Sequence, residues 1–204
     1  RTVGHSNSND GSRIVVAGLG LLTPLGHSPW QTFRALLAGR TLTDRADRLP
    51  RNCKAIDVAR RVGAVSVVQH SLCDPTVELA ERAARQALRE SGLDTDNMPV
   101  ILASSKGAVG SLIRAAGRYG PAAGNTKFSR ETGTAFLRAD PESVALGPHE
   151  YLARQLCRRL DRPQPVRHVV AACASGLVAV DLARRMLMAP GSAARPQSVL
   201  VVAA

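Results

Sequence analysis

A chain of 204 residues, 45% hydrophobic and 21% charged, suits one globular domain or one large half of a bigger fold. Aromatic residues make up only 3%, so the interior must be built from Ala, Val and Leu, which favours close helix–sheet packing over a β-sandwich. The formal charge of +11 is carried mostly by arginine, spread along the chain without a zinc-finger, basic-zipper or base-stacking aromatic pattern, which argues against nucleic acid and for an acidic protein partner.

Residues 1–12 are polar and rich in Gly, Ser and Asn, and read as a disordered N-terminus ahead of a domain spanning 13–204. They do not resemble a signal peptide, and no apolar run reaches transmembrane length, so no membrane association is expected. The chain opens on Arg1 rather than Met, so a piece of something longer is expected. Cys53, Cys73, Cys157 and Cys173 form no C-x-x-C pair and no metal-ligand spacing with the five histidines. No metal or cofactor is expected, and a reducing, cytoplasmic compartment is the simpler reading.

In chain order, Arg13–Leu22 is a continuous apolar run that predicts a strand buried on both faces, running into a turn at Thr23-Pro24-Leu25-Gly26. Ser28-Pro29-Trp30-Gln31 predicts a helix start with Ser28 as N-cap and Gln31 as its reciprocal partner. Phe33, Leu36 and Leu37 form the expected apolar face, and Gly39 the stop. A strand or hairpin is expected at 62–68. Asp74-Pro75 caps a second helix with Val77, Ala80, Ala84, Ala87 and Leu88 along one face and Gly92 at its end. Pro99–Ala103 is a second buried strand, leading into a loop through Gly110. The stretch 111–147 is compatible with short helices over a site or at an interface.

Pro148–Leu160 predicts an amphipathic helix with Leu152, Leu156 and Leu160 four apart. A strand at Val166–Ala172, a helix at Ser175–Met188 and a last strand at Val199–Val202 complete a β–α–α–β–α–β–α–β order. That order predicts an α/β layered fold with a mostly parallel sheet flanked by helices.

Two motifs fail on inspection. Gly18-Leu19-Gly20 after a strand suggests a dinucleotide fingerprint, but Thr23 stands at the third glycine position and Pro24 and Gly26 prevent a helix from opening there. Lys106-Gly107 lacks the order of a phosphate-binding loop.

The stretch Arg167–Val180 is the most informative. An apolar run meets Cys173, small residues follow, and a helix begins. A thiol at a helix N-terminus faces unpaired N–H groups and the positive end of the dipole, a setting that favours the thiolate and can hold an oxyanion. A lone cysteine after a buried strand also serves as inert core filling, so the residues alone leave both readings open. His168 starts on the opposite face of the same strand, His149 opens the preceding helix, and His5, His27 and His70 read as loop residues. No convincing base for Cys173 emerges.

With both ends considered together, the chain resembles a β-ketoacyl synthase of the elongating type. Ile14–Gly26 is similar to that family's first strand and turn, Phe33 with Leu36–Arg40 to its next helix, and Ala171–Gly176 to its nucleophile motif. The similarity is looser over 40–72 and 111–147. A thiolase shares Cys-Ala-Ser-Gly-Leu, but its cysteine comes much earlier.

The resemblance implies the N-terminal half of a thiolase-like layered fold, normally a homodimer, in fatty-acid or polyketide synthesis. It implies that Cys173 accepts an acyl group from an acyl carrier protein, for decarboxylative condensation with malonyl-carrier protein. The two family histidines and one oxyanion-hole N–H belong to the later half, which this chain lacks. Ala203-Ala204 stands where the family tends to have a glycine pair. A lone chain is therefore expected to be incomplete as an enzyme. The alternative is a non-catalytic module that docks carrier protein or pairs with a full-length synthase.

Overall fold

Val100–Ala103 (β1) is the middle strand of a three-stranded parallel sheet, with Arg167–Val169 (β2) on one side and Leu200–Ala203 (β3) on the other. The computed structural model describes residues 13–40, 74–94, 97–111, 141–162, 166–189 and 195–204. The readings above for 1–12, for 62–68 and for residues 112–140 lie outside these. Leu102 pairs with His168 and Val202, and Ile101 with Arg167 and Val201. All four β1 residues are buried, as their unbroken apolar run requires.

Among the described residues four α-helices accompany the sheet: Pro29–Leu37 (α1), Pro75–Ser91 (α2), Pro141–Leu160 (α3) and Ser175–Met188 (α4). Val100, Leu102, Leu200 and Val202 share one buried cluster with Val77, Ala80 and Ala84 of α2 and Leu152, Leu156 and Leu160 of α3. Ile101, Ala103 and Val169 face the other way, onto Ala179 and Ala183 of α4. The result is helix, sheet and helix in three layers, mixed α/β with a parallel sheet.

Local chemistry explains the helix boundaries. Ser28 Oγ accepts the Gln31 N–H at 3.1 Å, while Gln31 Oε1 returns to the His27 N–H at 2.9 Å, a capping box displaced by one residue. α1 stops on Gly39 (φ 63), with Arg40 N–H bonded to Ala35 O and Gly39 N–H to Leu36 O. Asp74 caps α2 through Oδ1 on the Thr76 N–H, and its Oδ2 takes the Ser111 N–H at 2.6 Å, tying the loop after β1 to this helix. α3 breaks at Gly147 (φ 73), so its core-packing part begins at Pro148. Arg159 joins α3 to α2 through a 2.7 Å pair with Glu81, and Arg85 donates both to Glu81 and to the Arg159 carbonyl.

Three expectations are corrected. Arg13–Leu22 is not a strand: it lies outside the sheet, and Val15 and Val16 are largely exposed, Val16 at 77%. The segment instead rests on α2. There the Leu19 N–H bonds Glu90 Oε2 at 3.0 Å and the Leu21 N–H bonds Gln86 Oε1 at 2.9 Å. Gly18 and Gly20 allow this approach, since a Cβ on Gly20 would lie 1.8 Å from Ala83 O. Second, Phe33, Leu36 and Leu37 face solvent, whereas Thr32 and Ala35 are buried; the Thr32 hydroxyl meets Thr23 Oγ1 at 2.9 Å. Third, β2 is only three residues long, because the chain turns out of the ladder at Ala171-Ala172.

The outer side of α4 is mixed: Leu177 (76% exposed), Val178 and Val180 make an apolar patch over its first turns, Met188 is exposed at its end, and Asp181 with Arg184 and Arg185 forms exposed ion pairs between them. An exposed apolar patch of this kind favours association. Two outcomes follow. Leu156→Ala, at a fully buried position, should cost about 2–5 kcal/mol in urea denaturation, and Leu177→Ala under about 0.5 kcal/mol. The isolated chain should self-associate and bind an apolar-surface dye; a sharp monomer in sedimentation velocity with no dye signal contradicts this.

Candidate active site

β1 and β2 are neighbours whose following loops part to opposite faces. The loop after β1 packs onto the α3 side, where the Ala108 N–H bonds Pro148 O at 2.9 Å and Gly107 (φ 66) leaves no room for a Cβ beside Pro148. The chain after β2 runs to α4 on the other face. Such a parting leaves a crevice at the carboxyl ends of the strands, the usual ligand position in open α/β sheets. A bond from the Ser104 N–H to Val169 O (3.2 Å) marks this end, and Cys173 lies just beyond it.

Ala171 (φ −142, ψ 40) leaves the strand, Ala172 takes a left-handed φ of 48°, and Ala172–Ala174 form a single 3₁₀ turn before α4. An alanine in that conformation costs on the order of 1 kcal/mol. Cys173 is exposed on this turn, while Ser175 directly below is buried. The first bond of the turn runs from the Ala174 N–H to Ala171 O, one residue after the Cys173 amide. Neither the turn nor α4 has a side-chain cap, and α4 has no acidic residue in its first turn. The N–H groups at the start of α4 are therefore left without a side-chain cap. Chemically, the arrangement presents an exposed thiol near backbone N–H groups at an uncapped helix start.

The histidines gather elsewhere. His168, opposite Leu102 in the ladder, points to the α3 side, where His149 and Glu150 act on it. Burial pushes its imidazole below the ordinary 6.5; the Glu150 carboxylate pulls it up and His149 pushes it down again. His149 Nε2 is a buried atom without a hydrogen-bond partner, as is Arg154 Nε. Cys157, next along this helix, is buried, and burial, with Glu150 adding, pushes its thiol up, so it is the poor nucleophile of the two described cysteines. Among the described residues no hydrogen bond joins a histidine to Cys173. Sequence reading treated His149 and His168 separately; their meeting depends on the β1–α3–β2 crossover, and only the placement of both beside a strand–helix junction signals it.

Cys53, Cys73, His5 and His70 lie outside the described residues. No group of three or more His, Cys, Asp or Glu among the described residues is placed to hold a metal. No described helix is long and apolar enough to cross a membrane. Two surface grooves flank α2, one with Trp30, Phe33 and Glu90, the other with His27, Arg82, Arg85 and Arg89; neither includes a residue of the Cys173 turn.

Comparison with known proteins adds to this geometry. The family model described as the beta-ketoacyl synthase N-terminal domain matches residues 11–193. Among solved structures, a beta-ketoacyl synthase from Burkholderia phymatum STM815 shares the fold with a TM-score of 0.56 and 23% identity, over 87% of this chain and 44% of that one. The chain thus spans less than half the length of that relative. No curated protein gives a match.

The half-buried imidazole of His168 sets a pH dependence. Below about 6.5 the unfolded chain protonates His168 before the folded one does, so stability falls as pH drops through that region. A second loss begins below 4.5, the ordinary value of Glu81: burial raises this carboxyl, but hydrogen bonds from Arg159 and Arg85 outweigh it and hold it lower. Thermal midpoints from pH 8 to 3 should show both steps, and His168→Gln should flatten only the upper one.

Proposed function

The chain belongs to the β-ketoacyl synthase family, as its N-terminal domain, and we propose on that premise that Cys173 is the acyl acceptor of a ketosynthase. The observation that carries this reading is an exposed thiol on a left-handed turn at an uncapped helix start, at the carboxyl end of a parallel sheet. In the loading step Cys173 Sγ attacks the thioester carbonyl of an acyl-pantetheine. The Sγ–C bond forms, the pantetheine C–S bond breaks, and the pantetheine sulfur leaves with the proton the cysteine gave up. The Cys173 N–H and the start of α4 take up the negative charge that develops on the carbonyl oxygen.

In the condensation that follows, malonyl-carrier protein loses carbon dioxide, its carbanion attacks the Cys173 thioester, and the cysteine leaves as thiolate. Residues 13–204 supply the nucleophile half of this reaction. The histidines that promote decarboxylation, and the second oxyanion donor, come from a C-terminal half, joined or supplied separately, within a homodimer-like assembly. The carrier is an acyl carrier protein, to which the +11 charge would be drawn if that partner is acidic. The pathway is fatty-acid or polyketide synthesis in the cytoplasm, where thiols stay reduced. No resident cofactor or metal is needed for either step.

Acyl loading tests the proposal. Incubated with a short-chain acyl-pantetheine, the protein should gain the mass of one acyl group at residue 173, and Cys173→Ala should abolish it. If no loading occurs even beside a complementing C-terminal half, the chain is a docking module for carrier protein or for a full-length synthase.

A further inference from the structure

We propose that Ser175 is a positioning residue for the Cys173 thiol, an inference that rests on Cys173 being the acyl acceptor. Ser175 is 5% exposed, and its hydroxyl is used twice. Oγ accepts the Ala171 N–H at 2.8 Å and donates to Ala172 O at 2.8 Å. The Ser175 N–H also reaches Ala172 O, so that carbonyl is held by two donors.

These bonds bracket Ala172, the left-handed residue. Left to itself, an alanine relaxes to the extended or right-handed region. Relaxation to the extended side would prolong β2, and relaxation to the right-handed side would begin α4 earlier. Either change turns the Ala171 N–H or the Ala172 carbonyl away from Ser175 Oγ and breaks a bond. The dihedrals of Ala172 set where the Cys173 N–H and Cα–Cβ bond point. Ser175 therefore fixes two things a thioester needs together: the direction of the Cα–Cβ bond that carries the sulfur and that of the backbone donor three bonds from it. A hydroxyl that both accepts and donates is required; a methyl group in its place leaves the Ala171 N–H without its partner and the left-handed turn without its restraint.

Positioning and plain structural support make different predictions. Iodoacetamide needs a reachable thiolate and no oxyanion donor, whereas acyl transfer from acetyl-pantetheine needs the oriented pair. Both rates are read at residue 173 by mass spectrometry on the full chain, at a temperature where each variant is folded by circular dichroism. Ser175→Ala should slow acyl transfer tenfold or more while changing alkylation less than about threefold, and Ser175→Thr, which keeps the hydroxyl, should recover most of the acyl-transfer rate. Acyl transfer at the wild-type rate in Ser175→Ala, or equal losses in both reactions without rescue by threonine, overturns the positioning role alone. No acylation of the wild-type chain even beside a complementing C-terminal half, with alkylation intact, overturns the acyl-acceptor reading and the proposal with it.

Discussion

The described structure is organised around one four-residue strand that is hydrogen-bonded on both sides and buried on both faces. Parallel neighbours cannot be joined by tight turns, so each must be reached through a crossover. The chain steps from β1 to its neighbour β2 through α3 and returns past β1 to β3 through α4. With crossovers of one hand, opposite steps place their helices on opposite faces. α4 therefore covers its face of the sheet without help from α2 or α3, and its first turn arrives at the carboxyl ends of the strands. The location of Cys173 follows from strand order before any chemistry is considered.

Signals of short range were legible in the sequence. Ser28 with Gln31, Asp74 with Pro75, and the glycines at 39 and 92 act through atoms two to five residues away, so local spelling decides them. The buried strand at 100–103 and the leucines at 152, 156 and 160 were equally plain, because period and burial agree there. The strand–turn–helix around Cys173 was visible as a pattern, though its left-handed Ala172 was not: nothing in an Ala-Ala pair distinguishes a strand end from a turn held from below by a serine.

What could not be read depends on partners distant in sequence. Arg13–Leu22 has the composition of a buried strand, yet it pairs with no described strand. In its place, Gln86 and Glu90 take two of its amides, and the glycines at 18 and 20 become contact points for a helix backbone. The apolar residues of α1 were identified correctly as a group, but the small Thr32 and Ala35 won the inner position, leaving Trp30 and Phe33 to meet each other outside, with ring centroids 6.1 Å apart. The approach of His149 to His168 left only a faint trace in the sequence, being made by topology across 18 intervening residues.

The left-handed peptide ahead of the sulfur also limits which sequences can inhabit that corner of the molecule. Valine, isoleucine and threonine carry a second branch at Cβ and are poorly tolerated at φ 48, whereas glycine adopts it freely. Divergence at position 172 is thus channelled toward glycine or a small polar residue, however freely the neighbouring helices are rewritten. Backbone handedness acts there as a filter on drift, independent of any contact the side chain makes.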